Sequence, residues 1–235
     1  MKIKVLYEDS NILAIDKPSG ILVHPDQRSK EKTILDLFIK KYPKIEIVHR
    51  LDKETSGVML LAKNKKAREF LKNQFSAPAL EIKHKVGLAD RQDRINKTYV
   101  AIVNGWVKND HGVINKPIGR SPRDFRRWLA GRGARGELRE AITEYRVIKR
   151  FIDKKEKFTY LEIKPKTGRT HQIRVHLKFL NHPVACDSLY NPTGFCLKSL
   201  SRLALHARSI EFKNLKGQII KVESSLPKEF TKIVK

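Results

Sequence analysis

The sequence predicts an α+β fold built on a largely antiparallel sheet. Most apolar runs are short, rich in Val, Ile, Thr and Tyr, and joined by tight polar turns, which is typical of hairpins. Only a few segments have helical spacing, and they do not alternate regularly with the strands, which argues against a parallel α/β fold. With 235 residues, 40% of them hydrophobic, the chain is long enough to bury one large core or two small ones.

The first forty residues predict a hairpin, a tight turn and a short helix. Residues 2–7 and 12–15 have strand-like apolar patterns around the polar turn 8–11. The sequence KPSG at 17–20 predicts a second turn. Proline restricts the backbone to an angle found in turns, and glycine permits the positive φ that some turns require. Residues 33–41 carry apolar side chains three and four positions apart, which predicts a helix.

The next segment predicts two strands followed by a helix. Residues 45–48 alternate between apolar and charged side chains, whereas residues 58–62 are continuously apolar and predict a buried strand. Asn64 is placed to cap a helix that runs to about Phe75.

The second half predicts mainly hairpins. Residues 81–97 are polar with weak periodicity and predict a connecting segment, after which residues 99–103 predict a strand. Residues 141–151 and 158–164 are rich in Tyr, Thr, Val and Ile and are separated by a charged turn, so we expect a hairpin.

Near the C-terminus the pattern predicts one helix and a last hairpin. Thr170 is placed to cap a helix over residues 171–180. Residues 203–212 and 218–223 then predict two paired strands.

The charge balance points to a polyanionic partner. Fifty Lys and Arg residues against 25 Asp and Glu give a net charge of +25. An excess this large repels itself unless a polyanion balances it, and nucleic acid is the expected one. A membrane surface is the weaker alternative, because no basic amphipathic helix with a broad apolar face is visible.

Cysteine content and hydropathy favour the cytoplasm. Cys186 and Cys196 are too few for a disulfide scaffold and lack zinc-site spacing, so free thiols are expected. The N-terminus has no apolar leader segment, and no apolar stretch approaches the length of a membrane span.

The most basic stretch is 115–139, with seven Arg, one Lys and four Gly residues. Arginines contact phosphates and aromatic rings stack on bases, so we expect a mobile RNA-gripping loop that includes Arg126 and Arg127. The spacing of Phe125, Trp128 and Leu129 is equally compatible with one turn of helix packed on the core.

One carboxylate stands between two apolar runs near the centre of the first half. Asp52 is expected at the end of the strand at 45–48 or on the loop leaving it. Arg50 is two positions before it, so an extended backbone would place both side chains on one face. A neighbouring guanidinium favours the ionised carboxylate, which a nucleophile or a base requires. By residue types alone, a turn cap or a solvated ion pair is the commoner interpretation.

The motifs change this assessment, because they resemble those of the RluA-type RNA pseudouridine synthases in the family's order. The resemblance covers nearly the whole chain. The matching stretches are KPSG at 17–20, HRLDKETSGVMLLAKN at 49–64, KTYVAIVNG at 97–105, AITEYRV at 141–147, KTGRTHQIRVHL at 166–177, HPVACDSLY at 182–190 and RLALHA at 202–207.

The resemblance implies an enzyme that converts uridine to pseudouridine within RNA, with Asp52 as the essential carboxylate. It also implies the pseudouridine synthase fold: a central, mostly antiparallel mixed sheet, flanked by helices and loops, with an RNA-binding cleft. Because the family-like region begins at residue 3, we expect residues 1–235 to form a single catalytic domain without the separate N-terminal RNA-binding domain of some members. The reaction needs no redox change and no group donor, so no cofactor and no metal are expected.

Two further catalytic residues follow from the resemblance. Tyr99 would stack on the uracil and handle the C5 proton, although a half-buried strand aromatic is the bland alternative. Arg174 would pair with Asp52 and keep it charged and oriented. Whether Asp52 attacks C1′ or removes the 2′ proton stays open.

The resemblance also suggests residues that contact the RNA. Arg50 would fill the space left by the flipped base or contact the flanking phosphate. Leu203 or Leu205 would form the apolar wall beneath the uracil, and either is compatible with plain core packing. His49 and Arg169, which lie in the same motifs, are further candidate substrate contacts.

Other functions remain as alternatives. The runner-up is a non-catalytic RNA-binding or ribosome-assembly module on the same fold, and a nuclease is a third possibility. His49, His171 and His176 do not form a metal set, because no carboxylate or cysteine completes one. PIGRSPRDFRR followed by AITEYRV resembles the ribosomal members, which favours large-subunit rRNA over tRNA. A monomer is the default expectation.

Overall fold

The structure is a computed structural model that describes residues 3–25, 31–76 and 94–234. Most of the predicted connecting segment 81–97 lies outside these residues. The chain forms two compact units: the first comprises residues 1–97 and 207–225, the second residues 98–206 and 226–235.

Thirteen strands and four helices are assigned in the described part of the chain. The strands are β1 (Lys4–Glu8), β2 (Ile12–Lys17), β3 (Glu46–Ile47), β4 (Ser56–Ala62), β5 (Asn96–Asn104), β6 (His111–Asn115), β7 (Ile118–Arg120), β8 (Trp128–Ala130), β9 (Arg135–Arg139), β10 (Ile142–Asp153), β11 (Glu156–Pro165), β12 (Leu205–Lys213) and β13 (Ile219–Glu223). The helices are α1 (Ile34–Ile39), α2 (Lys65–Ser76), α3 (Gln172–Phe179) and α4 (Lys228–Val234).

The first unit is a sheet in the order β1-β2-β4-β12, with β3 pairing β4 and β13 pairing β12. Every residue of β4 is buried, as its continuous apolar run predicts. Helix α1 starts with a capping box between Thr33 and Asp36, and the Asn64 side chain accepts a 2.9 Å hydrogen bond from the Ala67 amide at the start of α2. The predicted N-terminal hairpin, both helices and both central strands are therefore confirmed.

The second unit is an antiparallel sheet in the order β5-β11-β10-β6. β10 and β11 form the predicted hairpin, and β5 contains the predicted strand that ends before Gly105, where φ is +80°. The core of this unit packs side chains of β5 and β11 against Ile173 and Leu177 of α3. The α+β class with a largely antiparallel sheet is confirmed.

The basic stretch forms a small sheet of its own rather than a loop or a turn of helix. β7, β8 and β9 pair antiparallel in the order β8-β7-β9. Trp128 and Leu129 lie on strand β8, so the helical alternative for them is wrong. Trp128 of β8 opposes Arg120 of β7, and the guanidinium lies over the indole ring at 4.3 Å from its centre, a contact that stabilises this pair of strands.

Two local expectations are wrong. Thr170 does not cap α3, because the cap position is His171 in the left-handed conformation (φ 54°), with no capping hydrogen bond from its side chain. Cys186 and Cys196 are not free thiols but form a disulfide bond. The chain folds back between them in successive turns, which brings their Cα atoms to 4.8 Å. Among the described helices, none has the length and apolar content needed to cross a bilayer.

Candidate active site

Asp52 lies on the short loop between β3 and β4 in the first unit. Leu51 is buried and anchors the loop to the core, while Asp52 is half-buried. The Asp52 carbonyl accepts a 3.1 Å hydrogen bond from the Thr55 amide, which closes a turn directly after the carboxylate. The sequence thus placed Asp52 correctly at the junction between a strand and the next buried strand.

The buried side chain of Lys17 fixes the backbone of this loop. Lys17 has no exposed surface, and its ammonium donates hydrogen bonds to the carbonyl oxygens of Pro18 (3.0 Å), Lys53 (2.9 Å) and Thr55 (2.8 Å). Carbonyl oxygens are suitable acceptors for a buried ammonium group, whose charge must be hydrogen-bonded when it leaves water. Two of the carbonyls belong to the loop that carries Asp52.

The rest of the KPSG turn binds the same loop. The Ser19 hydroxyl donates to the Glu54 carbonyl at 2.6 Å, and the Gly20 amide donates to the Lys53 carbonyl at 2.8 Å. The carbonyls of Lys53, Glu54 and Thr55 are therefore all held by the turn at 17–20. This cross-link gives the loop one defined backbone conformation next to the carboxylate.

Gly57 fixes the end of the loop where β4 begins. Its φ is +110°, and a Cβ built there would lie 2.1 Å from the carbonyl oxygen of Ala207 on the neighbouring strand. No side chain fits so close a backbone approach, so the glycine of the TSG sequence is required by packing as well as by conformation.

His49 and Arg50 have different surroundings, although they are adjacent in sequence. The Nε2 atom of His49 accepts a 2.9 Å hydrogen bond from the Leu60 amide, and its ring packs on Phe75 with 4.6 Å between ring centres. Burial lowers the pKa of His49 to about 3. Arg50 is exposed and donates to Nε2 of His24 at 3.0 Å. Their predicted RNA contacts stay predictions.

Tyr99 belongs to β5 in the second unit, where it is half-buried and pairs in register with Ile163 of β11. Its ring packs against the core of that unit. This position is compatible with both interpretations made from the sequence, so its catalytic role stays a prediction.

Arg174 is held by an acid that the sequence did not single out. In α3 it is buried, and its Nε and Nη2 atoms each donate a 2.8 Å hydrogen bond to one oxygen of Asp187. Asp187 is also fully buried. The ring of Tyr190 covers the guanidinium at 5.1 Å. The predicted pairing of Arg174 with Asp52 stays a prediction.

A polar network anchors the helix that carries Arg174. The Gln172 amide nitrogen donates 3.0 Å hydrogen bonds to the Ile142 carbonyl and to the Thr143 hydroxyl. Thr143 also lies 2.8 Å from Nδ1 of buried His176, whose Nε2 is 3.0 Å from the Lys116 carbonyl. Burial lowers the pKa of His176, so the ring is neutral, with Nε2 donating and Nδ1 accepting. His176 is therefore a structural residue of this network.

The remaining predicted contacts divide into surface and core. Arg169 is exposed, and its Nε donates to the Glu140 carbonyl at 2.9 Å. Leu203 and Leu205 are both buried and belong to the core of the second unit. The described residues contain no group of His, Cys, Asp or Glu side chains arranged to hold a metal ion.

Arg126 and Arg127 of the small sheet share one acid. Arg126 donates to both oxygens of Asp124, at 3.1 and 2.9 Å, and Nε of Arg127 lies 3.4 Å from Oδ2 of the same carboxylate. These hydrogen bonds lower the pKa of Asp124 to about 2. Phe125, between Asp124 and Arg126, is 67% exposed. The two arginines therefore present N–H donors at the surface, next to the Asp124 carboxylate that serves as their counter-ion.

Comparison with known proteins supports the motif assignment. A family model described as RNA pseudouridylate synthase matches residues 11–179. The ribosomal large subunit pseudouridine synthase D of Borreliella burgdorferi is 35% identical over 239 residues, which cover 97% of this chain and 66% of that protein. The protein of the same name in Xanthomonas campestris is 34% identical over 250 residues, covering 99% and 68%. The chain thus spans about two thirds of the length of these relatives.

Solved structures agree. The human RNA pseudouridylate synthase domain-containing protein 4 superposes with a TM-score of 0.72 at 26% identity, covering 97% of this chain and 90% of that one. Domain-containing protein 1 has a TM-score of 0.75 at 22% identity, covering 96% and 84%, and shares the fold. This chain belongs to the RNA pseudouridylate synthase family, and the RluA-type resemblance of its motifs is confirmed.

Proposed function

We propose that this protein isomerises specific uridines to pseudouridines in structured RNA, with large-subunit rRNA favoured over tRNA. The observation that carries the proposal is the loop of Asp52, whose main-chain carbonyls are held by buried Lys17, in a chain that belongs to the RNA pseudouridylate synthase family. The names of the bacterial relatives supply the preference for the large ribosomal subunit.

The reaction breaks the bond between C1′ and N1 of uridine and forms one between C1′ and C5. The detached uracil turns over, N1 gains a proton and C5 loses one, so atoms and electrons balance without another reactant. A fixed carboxylate is needed at the sugar, and a base is needed for the C5 proton. The target nucleotide must leave its stack to reach these groups.

Asp52 is the carboxylate assigned to the sugar, either as nucleophile at C1′ or as base for the 2′ proton. Arg174 pairs with Asp52 and keeps it ionised, and Tyr99 stacks on the uracil and receives the C5 proton. The rigid main chain around Asp52 supports this assignment, because a positioned carboxylate needs no reorganisation when the RNA arrives.

The RNA is held by surface cations outside the reacting centre. Arg50, Arg126, Arg127 and Arg169 are candidate phosphate contacts, in line with the net charge of +25. Leu203 or Leu205 supplies the apolar wall beneath the uracil. The enzyme acts as a monomer in the cytoplasm, where its ribosomal substrate is made.

The test measures tritium release from RNA labelled at C5 of uracil, with separate large-subunit rRNA and tRNA substrates. We compare the wild type with Asp52→Asn and with Glu54→Gln. The second variant is the matched control, because it removes a carboxylate two residues away at a position whose main-chain carbonyl accepts the hydrogen bond from Ser19. The wild type and Glu54→Gln should release tritium, whereas Asp52→Asn should release none above background.

Equal release by the wild type and Asp52→Asn would end the catalytic assignment. RNA binding without release by any variant would favour the non-catalytic binding module. Cleavage of the RNA chain would instead indicate a nuclease. Release from tRNA alone would reject the preference for rRNA and leave the chemistry intact.

A further inference from the structure

The surroundings of Asp187 differ from those of a surface ion pair. Its carboxylate is fully buried and accepts four hydrogen bonds. Two come from Arg174 at 2.8 Å, and two come from the main-chain amides of Leu189 (3.0 Å) and Tyr190 (2.9 Å). The amides fix the carboxylate to its own turn, so its position does not depend on the arginine.

That turn is itself tied to the body of the second unit. The Asp187 carbonyl accepts a 2.8 Å hydrogen bond from the Asn191 amide, which closes the turn. The Tyr190 hydroxyl accepts a 3.0 Å bond from the Trp128 amide and lies 2.8 Å from Nδ1 of His171. The turn therefore has a fixed place relative to both the small basic sheet and the start of α3.

These contacts fix the guanidinium of Arg174 in two ways. The carboxylate of Asp187 binds the edge formed by Nε and Nη2, which sets the direction of the side chain. The ring of Tyr190 packs on the guanidinium, with its centre 5.1 Å from the central carbon, and limits the movement of the group. Asp187 takes two of the five N–H donors, and the other three are held in one orientation.

Stability alone does not explain this arrangement. A buried ion pair contributes little net stability, since apolar residues of similar volume often serve as well. An arginine oriented before the substrate binds is, however, what a reaction that develops charge requires.

We propose that Asp187 is a positioning residue for catalysis, which orients the guanidinium of Arg174 for the reacting centre. The inference rests on the proposed function, in which Arg174 acts on Asp52. Asp187 does not touch the RNA and acts only through the arginine.

A double-mutant cycle tests the proposal in the full-length chain. Asp187→Asn, Arg174→Met and the double variant are compared with the wild type for RNA affinity and for the single-turnover rate at saturating enzyme. The matched control is Glu229→Gln, which breaks another ion pair of the second unit, with Nε of Arg202 at 2.8 Å.

Asp187→Asn should slow the single-turnover step by about 100-fold while the Kd for RNA changes by less than about twofold. In the Arg174→Met background the same substitution should change the residual rate by less than about twofold, because the group it orients is gone. Glu229→Gln should keep the wild-type rate.

Equal losses of rate in both backgrounds would overturn the proposal, and so would a loss explained by weaker RNA binding. If Asp187→Asn does not fold, Asp187→Glu is measured in the same two backgrounds with the same criteria. Asp52→Asn is assayed in parallel: full activity of that variant would reject the proposed function, whereas the cycle rejects only the role of Asp187.

Discussion

The main-chain amide of Leu60 donates a 2.9 Å hydrogen bond to Nε2 of His49. A ring nitrogen that accepts a hydrogen bond carries no proton, so the imidazole is neutral and its other nitrogen holds the hydrogen. Burial, followed by the charge of Lys97, lowers the pKa of His49 from 6.5 to about 3. The histidine that begins the HRLD sequence is therefore built into the fold as an uncharged group.

This arrangement predicts a specific loss of stability in acid. Between pH 6.5 and 3 the unfolded chain binds a proton at His49 that the folded chain does not, so the free energy of unfolding falls as the pH falls through this window. In urea titrations at pH 7.5 and 5, the wild type should lose up to about 2 kcal/mol more than His49→Gln. Equal losses by the two proteins would contradict the neutral state of the folded His49 ring.

Lys17 provides a second prediction. Lys17→Met removes the ammonium and leaves the carbonyls of Pro18, Lys53 and Thr55 without this donor. The free energy of unfolding should fall by about 3 kcal/mol or more, because each buried acceptor loses a hydrogen bond. The control is Lys53→Met, which removes an exposed ion pair with Glu31 and should change stability by less than about 1 kcal/mol. Similar values for both variants would show that the buried lysine does not hold the loop.

The small basic sheet predicts a change in salt dependence. Arg126→Glu with Arg127→Glu should weaken RNA binding and reduce the slope of log K against log salt by about one to two, because two phosphate contacts are lost. Lys65→Glu with Lys66→Glu makes the same change in net charge on the exposed first turn of α2 and should change the slope less. Filter-binding titrations from 50 to about 300 mM salt measure both. An unchanged slope for the arginine variant would remove this sheet from the RNA interface.

The disulfide predicts a redox-dependent stability. Replacing Cys186 and Cys196 by Ser should lower the free energy of unfolding by about 3 kcal/mol under oxidising conditions, because the unfolded chain regains the freedom of a short loop. In excess reductant, the wild type and the double variant should have similar unfolding midpoints. If reductant leaves the wild-type midpoint unchanged, the crosslink does not contribute to the stability of the folded protein.

Sequence patterns predicted the fold well where neighbouring residues determine the local structure. The continuous apolar run of β4 and the cap at Asn64 each follow from neighbouring residues. Thr170 is not the cap because α3 begins one residue later, with His171 at the cap position in the left-handed conformation. The basic stretch was assigned no strands, since its short, exposed β9 contains no buried residue and so no apolar alternation.

The site was predictable only as far as motifs name residues. Asp52 was found because a strand end and a motif coincide, but the roles of Lys17 and Asp187 depend on partners that lie far away in sequence. Lys17 reaches carbonyls 36 and 38 positions away. Asp187 meets Arg174 13 positions away. A lysine beside a Pro-Gly turn and an acid before Ser-Leu-Tyr look like surface residues until the chain folds.

The KPSG turn binds the loop of Asp52 through main-chain carbonyl oxygens, which has a consequence for sequence variation in the loop. The hydrogen bonds from Lys17 and Ser19 go to the carbonyls of Lys53 and Glu54 and do not involve the side chains of these two residues. Substitution of the side chains at these two positions should therefore leave the backbone of the loop and the place of Asp52 unchanged. The loop thus combines a backbone that is held in place with two side-chain positions that are open to substitution.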